Sequence, residues 1–200
     1  MTDQSKTRRS VIAAALVASA GAAISTAAEA APSTGEAAMT FDPNRDGAHD
    51  FDFLIGDWKA HVRRLPDRLV GSTDWIEYDG ISNHKKLLDS NANFEEFDVR
   101  NPAKSLRIKA QTLRLYNPST HQWSIYLVDV DNGTLGLPAT VGQFTNGRGE
   151  FFDQEDYKGR AILVRFLWLN ISPNAARMEQ SFSPDGGKTW EVNWICELSR

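Results

Sequence analysis

The chain has 200 residues, with 22 Lys and Arg against 26 Asp and Glu for a formal net charge of −4, and a single cysteine. That mildly acidic balance leaves no electrostatic footprint for a nucleic acid, and one cysteine excludes a disulfide-stapled scaffold. The length fits one well-filled core and is short for two.

The N-terminus reads as an address rather than as part of a fold. Lys6, Arg8 and Arg9 form a positive n-region, residues 11–24 are an Ala-rich stretch without a charge, and Ala28-Glu29-Ala30 supplies the small residues that a signal peptidase needs. The stretch is short for a membrane span, which takes about 20 strongly apolar residues. Thr7-Arg8-Arg9-Ser10-Val11-Ile12 resembles the twin-arginine export signal, with Val11 and Ile12 where that signal prefers Phe and Leu. An ordinary secretory signal with adjacent arginines is the alternative. Either way the expectation is a signal peptide over residues 1–30 and a mature chain that begins at Ala31, located in the periplasm or secreted. No stable membrane insertion is expected once the signal is removed.

Residues 31–48 are small and polar and are interrupted by Pro32 and Pro43, which predicts a flexible leader. From His49 to Arg200 short runs of alternating apolar and polar residues are separated by Gly, Pro, Asn and Asp at intervals of roughly ten residues. A short helix is possible near residues 51–54. Weak strands are expected around residues 73–78, 83–88 and 94–99. Residues 106–116 and 122–129 flank Asn117-Pro118-Ser119-Thr120, a turn in which Pro presets φ. Asn146-Gly147, between residues 141–145 and 149–153, predicts a type I′ hairpin.

The clearest strand sets Ile162, Val164, Phe166 and Trp168 on one face against Leu163, Arg165 and Leu167. A hairpin partner puts Ala176, Met178, Gln180 and Phe182 on the same side. The last strand places Val192, Trp194, Cys196 and Leu198 inward and Glu191, Asn193 and Glu197 outward. Cys196, between apolar neighbours and far from any His, reads as a buried thiol. About ten strands at regular spacing fit an all-β, antiparallel up-and-down barrel, with an open sandwich as the alternative.

Gly56-Asp57-Trp58 opens the first long strand and resembles the lipocalin (calycin) signature. With Asp50-Phe51-Asp52-Phe53-Leu54-Ile55 before it, the Trp75-Ile76-Glu77-Tyr78 strand and the ending from Ser181 to Trp194, the pattern over residues 49–200 is similar to a family of uncharacterised bacterial lipocalin-like proteins. The resemblance implies a lipocalin-like barrel and no particular activity. Ser183-Pro184-Asp185-Gly186-Gly187-Lys188-Thr189-Trp190 resembles the Asp box of sialidases and other β proteins, whose role is to staple a turn.

All six Trp lie after residue 49. Aromatic residues dominate the burial of any small β domain, but a barrel of this size also has room for one small ligand. The aromatic residues expected to line a ligand pocket are Trp58, Trp75, Tyr78, Tyr126, Phe166, Trp168 and Trp194. His49, His61, His84 and His121 are scattered without zinc spacing, so no metal is expected. Nitrobindin-like barrels hold haem through a His near the C-terminal strands and none follows His121 here, so no cofactor is expected. Asp129-Val130-Asp131-Asn132-Gly133 lacks the distal Glu of a calcium loop and reads as a solvated turn.

For chemistry the candidates are Glu77, Tyr78, His84, Glu95 and Glu96, with Glu77 and His84 foremost. A carboxylate or imidazole inside an apolar barrel has its pKa moved, as acid–base work requires. Parity is open: if Trp75 points inward so does Glu77, and if Ile76 does so does Tyr78. Two function classes follow: an exported protein that binds a small apolar or aromatic molecule, or a calycin-type barrel enzyme, isomerase or lyase, with Glu77 or His84 as general base.

Overall fold

The computed structural model describes residues 45–88 and 91–200. The signal peptide and nearly all of the leader expected before His49 lie outside the described residues. Ten strands follow one another as an antiparallel meander: β1 (Gly56–Arg64), β2 (Ile76–Lys86), β3 (Ala92–Asn101), β4 (Leu106–Asn117), β5 (Gln122–Asp129), then β7 (Thr140–Thr145), β8 (Arg148–Tyr157), β9 (Arg160–Ser172), β10 (Ala175–Ser183) and β11 (Glu191–Ser199). Each pairs with the next, and β11 pairs with β1 from Lys59↔Ser199 to Arg64↔Trp194, which closes the sheet. The two-residue β6 (Thr134–Leu135) only extends the far end of β5. The chain is thus a closed antiparallel ten-strand barrel of lipocalin-like type, which leaves none of the ten strands as an open edge. Among the described residues no helix is long and apolar enough to cross a membrane.

The two-residue period sets which side chains fill the barrel. Ile162, Val164, Phe166 and Trp168 of β9 are all buried, as are Ala176 and Phe182 of β10. Asn146 and Gly147 turn the β7–β8 hairpin with φ of 52° and 76°, the two left-handed residues that a type I′ turn requires. Ser183 and Asp185 close the β10–β11 loop on themselves: the Asp185 carboxylate accepts from the Thr189 backbone and hydroxyl at 2.9 and 2.6 Å, and Ser183 Oγ accepts from Gly187 N at 2.8 Å.

Three local expectations need correction. The strands expected around residues 73–78 and 83–88 are one: β2 runs through Asp79-Gly80 without losing register with β1 or β3, because a residue without a side chain lets the three strands approach closely there. Asn193 faces no solvent and is fully buried. A bulge after Gln180 leaves Asn193 as the extra residue of β11, where its carbonyl accepts from Leu65 N at 2.9 Å and its Oδ1 from Gln180 Nε2 at 3.0 Å. Finally, packing already includes residues 45–48, ahead of the boundary expected at His49. Ala48 is buried, Trp123 Nε1 donates to the Gly47 carbonyl at 2.8 Å, and Gly47 N donates to the Tyr116 hydroxyl at 3.0 Å.

Residues 45–55, with a single 3-10 turn at Asp52–Leu54, lie across one end of the barrel. Phe51 is the plug. Its ring meets Trp123, Phe144 and Trp168 edge-on at 5.1, 4.9 and 5.8 Å and stacks on Phe151 at 5.5 Å. Trp58 closes the same end, donating to the Leu54 carbonyl at 2.7 Å, while the Arg200 guanidinium lies 4.0 Å over its ring. With that end sealed by aromatic packing, the barrel's interior can open only at the other.

Candidate functional site

Above the aromatic plug the barrel encloses a cavity of about 320 Å³. Its walls are apolar and largely aromatic: Phe97, Ile108, Ala110, Ile125, Phe166, Trp168, Met178, Trp194 and Leu198 line it, with Leu127, Arg64 and Arg68 toward the mouth. At its base stands a polar group contributed by three neighbouring strands. Inward positions of β2 supply Ser82 and His84, of β3 Asn93 and Glu95, and of β4 Thr112 and Arg114. The register brings His84 opposite Glu95, Glu95 opposite Thr112 and Asn93 opposite Arg114. All six are buried.

Four of them form a closed ring of hydrogen bonds. Arg114 Nη2 donates to Glu95 Oε2 at 2.5 Å, and Ser82 Oγ donates to Glu95 Oε1 at 2.7 Å. His84 Nε2 stands 2.8 Å from Ser82 Oγ, and His84 Nδ1 stands 3.3 Å from Arg114 Nη1. A guanidinium can only donate, so Nδ1 must present its lone pair. The proton of the neutral ring is therefore on Nε2, which donates to Ser82 Oγ, and the serine proton is free to go to Glu95. Asn93 Oδ1 takes a further Arg114 proton at 3.1 Å, and the guanidinium rests over the rings of Phe51 and Trp168 at 5.4 and 5.8 Å.

The charges follow this geometry. The His84 pKa is lowered to about 4, chiefly because burial disfavours the charged ring; Glu95 pulls the other way, and Arg114 adds a smaller downward push. Burial by itself would raise that of Glu95, but the Arg114 charge, His84 and the Ser82 hydrogen bond outweigh it and hold the carboxyl ionised. Burial also pushes the Cys196 thiol well up, with the charges of Glu95 and Glu197 adding to the effect, so the sulfur lining the cavity stays protonated.

Such a cluster is poorly suited to proton transfer. His84 has both ring nitrogens occupied, its lone pair faces a cation, and it does not line the cavity. Ser82 cannot pass its proton to a nitrogen that already carries one, and Glu95 is too weak a base beside Arg114. What the cluster can do is present a fixed polar floor, with Ser82, Glu95, Thr112 and Arg114 at the cavity surface.

The structure separates the residues singled out from the sequence. Phe166, Trp168 and Trp194 line the cavity. Trp58 sits in the plug and Tyr78 is buried in the core, neither at the cavity wall. Trp75, just before β2, lies partly exposed beneath the Arg63 guanidinium at 5.9 Å. Tyr126 faces away from the interior, since Ile125 and Leu127 on either side of it line the cavity. Glu77 is exposed, as is Glu96. Tyr78, Ser82 and His84 take the inward parity of β2, so Glu77 points outward, opposite Arg63 on β1, and keeps its hydration. A general base at Glu77 inside the barrel is thereby corrected.

Sequence reasoning passed over Ser82, Asn93, Thr112, Arg114, Arg64 and Arg68. On β4 the signal was inverted: Leu113 and Leu115 look like the inward set, yet Leu115 is exposed and Arg114 is buried. A polar residue repeating at the inward parity on three consecutive strands, Ser82, Glu95 and Thr112, was the only trace available.

No protein-family model matches the chain, and no curated protein matches it. Among solved structures it is similar to the S-type phycobiliprotein lyase of Guillardia theta, with a TM-score of 0.53 at 10% identity over 79% of this chain and 94% of that one. At that identity the likeness shows the fold: both chains are barrels of lipocalin-like type.

Proposed function

We propose that this protein is an exported binding protein that holds one small molecule with an apolar or aromatic body inside its barrel. The observation that carries the reading is the cavity of about 320 Å³, sealed at one end by Phe51 and Trp58 and walled by Phe97, Phe166, Trp168 and Trp194. A space of that size lined mainly by apolar groups, with a few fixed polar ones, has the character of a small-molecule site. The inward carboxylate and imidazole are each satisfied by Ser82 and Arg114, which favours capture over acid–base chemistry. A phycobiliprotein lyase uses a barrel of the same fold, which is compatible with this reading and adds no ligand to it. Export, to the periplasm or the exterior, is supported by the positive n-region, the uncharged residues 11–24 and Ala28-Glu29-Ala30.

Because Trp168 and Trp194 line the cavity, intrinsic fluorescence of the mature chain titrated with N-phenyl-1-naphthylamine and a panel of neutral aromatic compounds tests the reading. Saturable quenching is expected for several of them. A flat response throughout, together with native mass spectra free of any bound molecule, would count against it.

A further inference from the structure

At strand period β1 turns Trp58, Ala60, Val62 and Arg64 to the interior, so the inward position at the mouth carries a guanidinium where the three below it are apolar. Arg68, in the following loop, also lines the cavity. It gives Nε to the Leu65 carbonyl at 3.3 Å and lays its guanidinium over the Phe182 ring at 4.9 Å. Among the described residues the Arg64 side chain has no hydrogen bond and no ion pair. Burial, and after it the Arg64 charge, lower the pKa of Arg68; Tyr157, Glu155 and Glu191 act in the opposite sense, and none of the three lines the cavity. Two like charges thus line the same apolar space, both toward its mouth, and act on one another there.

Deeper in, Arg114 is cancelled by Glu95, and both oxygens of that carboxylate are taken. The lining therefore carries a surplus of positive charge, located at its mouth. Three other lining residues carry buried N–H groups without a partner, Arg114 Nε, Trp168 Nε1 and Trp194 Nε1. Unpaired buried donors of this kind call for an acceptor.

Resting on the reading of the barrel as a binding protein, we propose that its ligand is a small organic anion, an apolar body bearing a carboxylate or sulfonate. The acidic group lies between Arg64 and Arg68 and the body runs inward along Phe97, Phe166 and Trp194. A guanidinium matches the geometry of an oxyanion with two parallel N–H donors, and does so more strongly where apolar walls lower the dielectric. An anion at the mouth keeps part of its hydration while it relieves the repulsion between the two cations.

The test uses two dyes with the same ring system. 8-Anilinonaphthalene-1-sulfonate carries a sulfonate that N-phenyl-1-naphthylamine lacks, and both are titrated into the mature chain and into the Arg64→Met, Arg68→Met and double variants. The sulfonate dye should bind the parent at least about tenfold more tightly, each variant should lose about tenfold of that preference, and raised salt should weaken the anion alone. Binding of the neutral dye should stay constant, which also shows that the variants are folded, and Arg63→Met on the outer face should change neither dye. Equal binding of the two dyes, or a preference that survives in the double variant, overturns the inference while leaving the binding barrel in place. Failure of both dyes to bind the parent overturns both.

Discussion

Arg114 and Glu95 meet inside the barrel with Nη2 2.5 Å from Oε2, and both side chains are almost wholly withdrawn from solvent. A buried pair of this kind adds little net stability over an apolar pair of equal volume, but either member left alone is an uncompensated charge. Arg114→Met or Glu95→Gln should therefore destabilise the protein by about 3–5 kcal/mol. The double variant Arg114→Met/Glu95→Met should recover most of that loss. Chemical denaturation of the three variants checks it, and a double variant less stable than either single one would refute the pairing.

The ring also sets a pH dependence. His84 has a folded pKa of about 4, below its ordinary 6.5, first because burial withdraws the ring from water and then because its Nδ1 lone pair faces the Arg114 cation, the two together outweighing the attraction of Glu95. Between those values the unfolded chain binds more protons than the folded one. Stability is then complete above about pH 6.5 and falls on acidification toward pH 4, by an amount on the order of 2–3 kcal/mol. His84→Gln, which can still accept from Arg114 and donate to Ser82, should flatten that slope. An unchanged slope in denaturation midpoints between pH 7.5 and 4 would show that another group is responsible.

Ala110 lines the cavity beside Phe97, its partner across β3 and β4. Ala110→Phe should fill the space that a ligand would occupy. Dye binding should weaken at least about tenfold, while thermal unfolding shifts little because the added ring enters an existing void. Retained affinity would place the dye elsewhere on the protein.

Gly80 lies on β2 between Ala60 and Val99, and a Cβ there would stand 2.0 Å from the Asp98 carbonyl oxygen. No rotamer change relieves a clash with backbone, so Gly80→Ala should cost more than about 3 kcal/mol, or prevent soluble expression. Gly147→Ala meets no neighbouring atom and carries only the strain of its positive φ, so its cost should be about 1 kcal/mol. Comparison of the two melting curves measures the difference.

The proposed export makes a separate prediction. Intact mass of protein recovered from the periplasm or medium should correspond to a chain beginning at Ala31. Arg8→Lys/Arg9→Lys should strand the chain in the cytoplasm if the twin-arginine route is used, and should leave export intact if the general secretory route is.

Alternation along the sequence was enough to fix the all-β class, a count of about ten strands, and the inward face of β9, of β10 and of β11 from Trp194 onward. In those strands Ile162 to Trp168 and Trp194 to Leu198 alternate strongly enough that burial of the apolar set decides the parity locally. Over β2, β3 and β4 the alternation is weak or reversed, since the inward positions hold Ser82, His84, Glu95, Thr112 and Arg114. Only closure of the barrel could place them there, because a buried arginine is tolerable solely where a carboxylate from one neighbouring strand and an imidazole from the next arrive within hydrogen-bonding distance. That pairing joins residues far apart in the chain, and no window of sequence contains it.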